Sequence, residues 1–171
     1  MNTKNSIVVM KFGGTSVQDS TAIKNVINIV NNNSLKKVVV VSAISKATTA
    51  LENIARFAAE KNVQEAEKLL DEIINRHHVI INDLVTDTAL RSAAAEKIIG
   101  YHRQITELIK GLSIINELSL RILDAFRVFG ELMSSNVIYH AMVNAGLDVE
   151  LINSQHVIKT NNDFSRAYPN F

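Results

Sequence analysis

Apolar residues change their spacing several times along this chain. Ile7-Val8-Val9-Met10 is an unbroken apolar run closed by Lys11-Phe12 and the pair Gly13-Gly14, and such a run bounded by glycines predicts a buried strand. The spacing then turns helical. Ile23, Val26, Ile27 and Val30 share one face, Asp19 or Ser20 stands where a cap belongs, and Asn31-Asn32-Asn33-Ser34 closes the segment. Val38-Val39-Val40-Val41 predicts a second strand, continuous in hydrophobicity as parallel strands covered on both faces are. Strand, helix, strand in this order is a βαβ unit.

From Thr48 to Ala145 there is no proline and little glycine, and helical periodicity dominates. Ala66, Leu69, Leu70, Ile73, Ile74, His77, Ile80, Ile81 and Leu84 form one stripe. Leu90, Ala94, Ile98, Tyr101, Ile105, Leu108 and Leu112 form a second, and Leu118, Ile122, Ala125, Phe126, Phe129, Leu132 and Met133 a third. Gly146 is placed to stop the last helix. Leu147 to Ile152 returns to a strand pattern, Val157-Ile158 begins another, and Asn161-Asn162-Asp163 reads as a turn. Roughly three or four strands result, fewer than the ~5–6 of a typical sheet. The expectation is a chain cut from a larger α/β domain, with a sheet edge open to pairing.

Composition narrows the function classes. The chain has 171 residues, 47% hydrophobic, with 18 basic against 17 acidic side chains and a net charge of +1. That suits one globular domain with a sizeable core and gives no general attraction to nucleic acid or to a membrane surface. There is no cysteine, so disulfides and thiolate chemistry are excluded. No apolar stretch approaches the ~20 residues of a membrane span. The opening Met1 to Ser6 enters a strand too soon for a secretory signal, so a cytoplasmic location is expected. His77 and His78 point ~100° apart on a helix, His102, His140 and His156 are isolated, and no metal-ligand spacing is present. No metal site is expected from these side chains.

Three stretches could carry chemistry. Lys11 stands at the carboxyl end of the first strand, where open α/β sheets place ligands. Gly13 and Gly14 let backbone N–H groups turn toward an anion, with the hydroxyls of Thr15 and Ser16 beside them. This is neither G-x-x-x-x-G-K-[ST] nor G-x-G-x-x-G, and the residues alone are equally consistent with a strand-ending turn and a solvated lysine. Ser42-Ala43-Ile44-Ser45-Lys46-Ala47-Thr48-Thr49 follows the second strand and opens a helix, which suits either anion binding or ordinary capping. In Gly130-Glu131-Leu132-Met133-Ser134-Ser135, Gly130 and Ser134 make a small-residue strip that permits close approach. Glu131 lies off the main stripe, and its ordinary reading is a surface pair with Arg127.

Lys11-Phe12-Gly13-Gly14-Thr15-Ser16-Val17 matches the KFGGTSV signature of aspartate kinases residue for residue. The stretch Ser42 to Thr48 resembles the family's V-S-A-x-x-x-x-T-[ND], with Lys46 at its frequent glycine and Thr49 at its Asn/Asp. Gly130 to Ser134 is the family's G-E-L-M-S, and Thr160 to Ala167 resembles its next segment. The resemblance implies a three-layer α/β/α sandwich with a mainly parallel sheet, the amino-acid-kinase or carbamate-kinase-like fold, here truncated and carrying a helix-rich insertion. It implies transfer of the γ-phosphoryl group of ATP to the β-carboxylate of L-aspartate with Mg²⁺, the entry step toward lysine, threonine and methionine. Carried over by motif, Lys11 is the catalytic cation. Lys11, Phe12, Gly13, Gly14, Thr15 and Ser16 handle the ATP phosphates, and Ser42, Thr48 and Glu131 hold aspartate.

The resemblance is greatest to the lysine-sensitive, single-function branch, although kinases fused to homoserine dehydrogenase share the opening motif. The family's glycine-rich T-L-G-R-G-G-S-D segment does not occur. Residues 1–171 are therefore expected to be the aspartate-binding, amino-terminal part of one catalytic domain, inactive alone, without the ATP-binding part and regulatory domains. The full-length protein is expected to be a homo-oligomer with small-molecule partners, L-aspartate and ATP, and none among nucleic acids or membranes. Two alternatives stand beside this. One is a related kinase acting on glutamate, acetylglutamate, carbamate or uridylate, against which the helical insertion and G-E-L-M-S argue. The other is a non-catalytic binding module.

Overall fold

A computed structural model describes residues 6–170. Strand β1 (Ile7–Phe12) leads through a short 3-10 turn (Gly14–Val17) into helix α1 (Ser20–Asn31), and β2 (Lys36–Val41) follows. Helices α2 (Ala47–Ala59), α3 (Val63–Leu84), α4 (Thr88–Ile115) and α5 (Leu120–Asn144) come next, and a single turn, α6 (Ser154–Val157), lies near the end. β1 and β2 pair in parallel, with Val9 opposite Val38 and Lys11 opposite Val40.

The local signals explain most of these boundaries. Asp19 caps α1 by accepting the Ala22 N–H at 2.8 Å, and the buried residues of α1 are Ile23, Val26, Ile27 and Val30, as the spacing predicts. Asp87 and Ser119 cap α4 and α5 in the same way. Gly146 closes α5 with φ +82. Its N–H reaches the Val143 carbonyl and the Leu147 N–H reaches that of Met142, the pairing of a Schellman motif. The α3 stripe is buried from Ala66 to Leu84 apart from a half-exposed Leu69. On α5 burial extends beyond the expected stripe to Asn136, Val137, Ile138 and Ala141, because α2, α3 and α4 all pack against it.

Three strand expectations are corrected. β1 and β2 are covered on one face only. Met10, Phe12, Val39 and Val41 pack on the core, while Ile7, Val9, Val38 and Val40 on the other face are 62%, 66%, 49% and 42% exposed. Both α1 and the α2–α5 group turn to the same side, so within the described chain nothing covers the second face. The segment 147–152 forms no strand. Leu147 and Val149 alternate onto the core as a strand would, without a ladder partner among the described residues. Val157 ends α6 instead of starting a strand.

Beyond α6 the chain folds back on itself through a bridge between Thr160 and Pro169. Asn161 accepts the N–H groups of Asp163 and Tyr168 there, the turn that its side chain predicts. No helix among the described residues is long and apolar enough to cross a membrane.

Candidate functional site

The two β–α loops and the middle of α5 meet at one place. Parallel pairing brings the carboxyl ends of β1 and β2 side by side, and the Ser42 N–H continues the ladder by donating to the Phe12 carbonyl at 3.1 Å. A side chain at Gly14 would put its Cβ 3.0 Å from the Ala43 carbonyl oxygen, and at Gly130 its Cβ would be 2.9 Å from the Ala43 Cβ. Neither neighbour can swing away, so both glycines are required by close approach. The same position on Gly130 is 3.8 Å from the Thr48 hydroxyl. Ser134, one turn further along α5 and fully buried, donates its hydroxyl to the Ser42 carbonyl at 2.8 Å. Gly13-Gly14, Ser42 to Thr48, and Gly130 to Ser134 are thus one packed unit.

This unit presents donors. Among the described residues the N–H groups of Gly14, Thr15, Ser45 and Lys46 have no protein acceptor. They lie at the start of the 3-10 turn and just ahead of α2, where unsatisfied N–H groups and the positive end of the helix dipole favour an anion. Lys46 adopts a left-handed conformation with φ +69, uncommon for a non-glycine residue, at the position where the resembling family has glycine.

The predicted site residues divide into two groups. Phe12, Gly13, Gly14, Ser42 and Thr48 are half-buried within the packed unit. Lys11, Thr15, Ser16 and Glu131 are exposed at its rim. Lys11 shares the open sheet face with Val9 and Val40, and among the described residues its ammonium has no hydrogen-bond or ion-pair partner. Glu131 likewise has none, and the Arg127–Glu131 surface pair does not form. Arg127 instead donates to Glu52 on α2 at 2.8 Å, to Asp124 at 3.0 Å and to Ser165 in the tail at 2.9 Å. The cause is tertiary. Glu52 stands one turn after Thr48 and faces α5, and Asp124 also accepts the Ser165 N–H at 2.6 Å.

Sequence reasoning missed a further residue. Arg76 on α3 donates to the carbonyl of Ser45 at 2.6 Å and to that of Gln18 at 2.8 Å. Helical spacing offers Glu72 as its partner, and no local signal points to the loops.

Three of the histidines make short-range contacts within the helical group. His77 is wholly buried, its Nδ1 is 2.8 Å from the Ile73 carbonyl and its Nε2 has no partner among the described residues. Burial pulls its pKa down to about 4. His140 makes the same bond to Asn136, and His102 pairs with Asp71 at 3.0 Å. Among the described residues no three His, Asp or Glu side chains are gathered as metal ligands.

Known proteins resemble this chain along most of its length. Residues 6–168 match the amino acid kinase family. Aspartokinase 2 of Arabidopsis thaliana, a chloroplastic protein, is 33% identical over 132 residues, covering 75% of this chain and 23% of that protein. Two crystal structures of Escherichia coli aspartokinase III are similar at 28% identity over 96% of this chain and 35% of theirs. One, with lysine and aspartate in the T-state, superimposes with a TM-score of 0.84. The other, with aspartate and ADP in the R-state, gives 0.80. The chain therefore spans about a third or less of the length of these relatives.

Proposed function

The chain belongs to the amino acid kinase family, and from that premise we propose that it is the acceptor-binding part of an aspartate kinase. The complete protein transfers the γ-phosphoryl group of ATP to the β-carboxylate of L-aspartate. A carboxylate oxygen forms the new bond to phosphorus, and the bond to the bridging oxygen of ADP breaks. The acceptor is already deprotonated, so the transfer requires no general base. Its obstacle is electrostatic: two unit charges at ~4 Å repel by about 4 kcal/mol at an effective dielectric of ~20. Fixed cations and N–H donors offset this repulsion and stabilise charge on the transferring group.

Each residue has a place in that task. Lys11 steadies the phosphoryl group. Gly13, Gly14, Thr15 and Ser16 direct N–H and hydroxyl groups at it, with Phe12 fixing the turn to the core. Ser42 and Thr48 hold the acceptor, and Glu131 meets its ammonium. Mg²⁺ would be held by the nucleotide phosphates and would offset their negative charge. A cytoplasmic location, self-association of the full-length protein, and residues 1–171 as the amino-terminal part of one catalytic domain complete the proposal.

The observation that carries it is the packing of Gly14 and Gly130 against the same residue, Ala43. It brings the three motif stretches into one unit. Aspartate and ADP in the aspartokinase III structure support it. The test offers L-aspartate, L-glutamate, N-acetylglutamate and carbamate in turn to the complete gene product, with ATP and hydroxylamine to trap an acyl phosphate. Hydroxamate formed from L-aspartate is the expected result; preference for another acid would overturn the assignment.

A further inference from the structure

Arg76 belongs to α3, yet its guanidinium makes no ion pair among the described residues. Instead it reaches the backbone of two separate β–α loops. One N–H donates to the Ser45 carbonyl at 2.6 Å, just ahead of α2, and another to the Gln18 carbonyl at 2.8 Å, at the end of the 3-10 turn. One planar group with donors in a fixed fork holds two carbonyls at a set separation. Asp83, two turns later on α3, accepts the Ser20 hydroxyl at 2.7 Å. α3 therefore holds the end of the 3-10 turn, the first residue of α1 and the loop after β2 at one point each, across a shallow cleft of about 570 Å³ that Lys46 and Asp19 also line.

Holding a carbonyl also aims an amide. In a trans peptide the C=O and the following N–H point in opposite directions. With the Ser45 carbonyl turned onto Arg76, the Lys46 N–H points away from it, and this is one of the donors without a protein acceptor. The left-handed Lys46 backbone, φ +69, is a conformation that needs such external support.

We propose that Arg76 is a positioning residue for phosphoryl transfer: by holding the Gln18 and Ser45 carbonyls together it fixes the loop after β1 against the loop after β2, and with them the donors for the two reacting groups. The proposal rests on the kinase reading for the reaction it serves. Alignment of two bound groups matters most in the transition state, so losing the clamp lowers kcat more than it weakens either substrate.

Arg76→Ala and Arg76→Lys in the complete gene product test this. Arg76→Ala is expected to lower kcat about 10- to 100-fold, with KM for ATP and for L-aspartate each within about threefold of wild type. Added guanidinium ion should restore part of the rate, and Arg76→Lys, a point charge without the fork, should fall between. Deuterium uptake should rise together in peptides covering 13–20 and 42–48 of Arg76→Ala, with the α4 and α5 peptides unchanged. A kcat within about twofold of wild type, or uptake rising in one loop only, would overturn the clamp. If the wild-type protein does not phosphorylate L-aspartate, the kinase assignment falls instead, and the exchange comparison by itself decides whether Arg76 couples the loops.

Discussion

Ser134 in the middle of α5 donates its hydroxyl to the carbonyl of Ser42, the first residue after β2, at 2.8 Å. That bond and the Gly130–Ala43 contact one turn away fasten the helix bearing Glu131 to the loop leading to Thr48. Both halves of the proposed acceptor site are held by buried contacts, with Ser42 and Thr48 half-buried between them and Glu131 exposed at the rim.

Gly130 should not tolerate a methyl group. A Cβ there would be 2.9 Å from that of Ala43, and overpacking of this kind costs about 1–3 kcal/mol, more than the ~1 kcal/mol that alanine gains in helix propensity. Gly100→Ala and Gly111→Ala provide the contrast. Nothing lies within 4 Å of a Cβ at either position, and both sit inside α4, so each should stabilise by about 0.5–1 kcal/mol. Urea denaturation of the three variants measures the opposite signs.

Breaking the Arg127 network should loosen both the acceptor site and the tail. Arg127 links Glu52, one turn after Thr48, to Asp124 and Ser165. The side chains of the Arg127–Glu52 pair are only 31% and 25% exposed, so a double-mutant cycle of Arg127→Met with Glu52→Gln should give a coupling of about 1 kcal/mol. In the complete gene product Arg127→Met should raise KM for L-aspartate about three- to tenfold with kcat nearly kept, the pattern of lost ground-state binding.

His77 should make the fold acid-sensitive. Burial lowers its pKa from 6.5 to about 4; the bond to the Ile73 carbonyl opposes that shift, and Arg76 and His78 add to it. A histidine with a depressed folded-state pKa takes up its proton more readily when unfolded. Its contribution is therefore fully present above pH 6.5 and is lost as the pH falls toward 4, about 3 kcal/mol over the whole window. His77→Leu removes this titration and the unpartnered Nε2, so its urea midpoint should fall less than that of wild type between about pH 7 and pH 4.5.

Much of the fold was legible because its signals are local. Asp19 before Ile23, Val26, Ile27 and Val30 set out α1, and Gly146 marked the end of α5. The unbroken valines of β2 report a strand suited to cover on both faces, but not which helices supply it, so the open face of Val38 and Val40 could not be read. The strand at Leu147 to Ile152 failed for a related reason: alternation fixes which side chains face inward and leaves the partner unspecified. Motif resemblance pointed to the stretches that hold Gly14, Thr48 and Glu131, which the fold packs together. It was silent on Arg76 and Arg127, whose partners come from distant loops and helices and leave no periodic trace.

Lys11 is the most direct point of attack. In the complete gene product, γ-labelled ATP, L-aspartate and hydroxylamine report phosphoryl transfer, while calorimetry reports L-aspartate binding on its own. Lys11→Met is predicted to lower turnover about 10²- to 10³-fold and to leave L-aspartate affinity within about threefold of wild type. Wild-type turnover in Lys11→Met would contradict the assignment of the phosphoryl group to the Lys11–Gly14 turn.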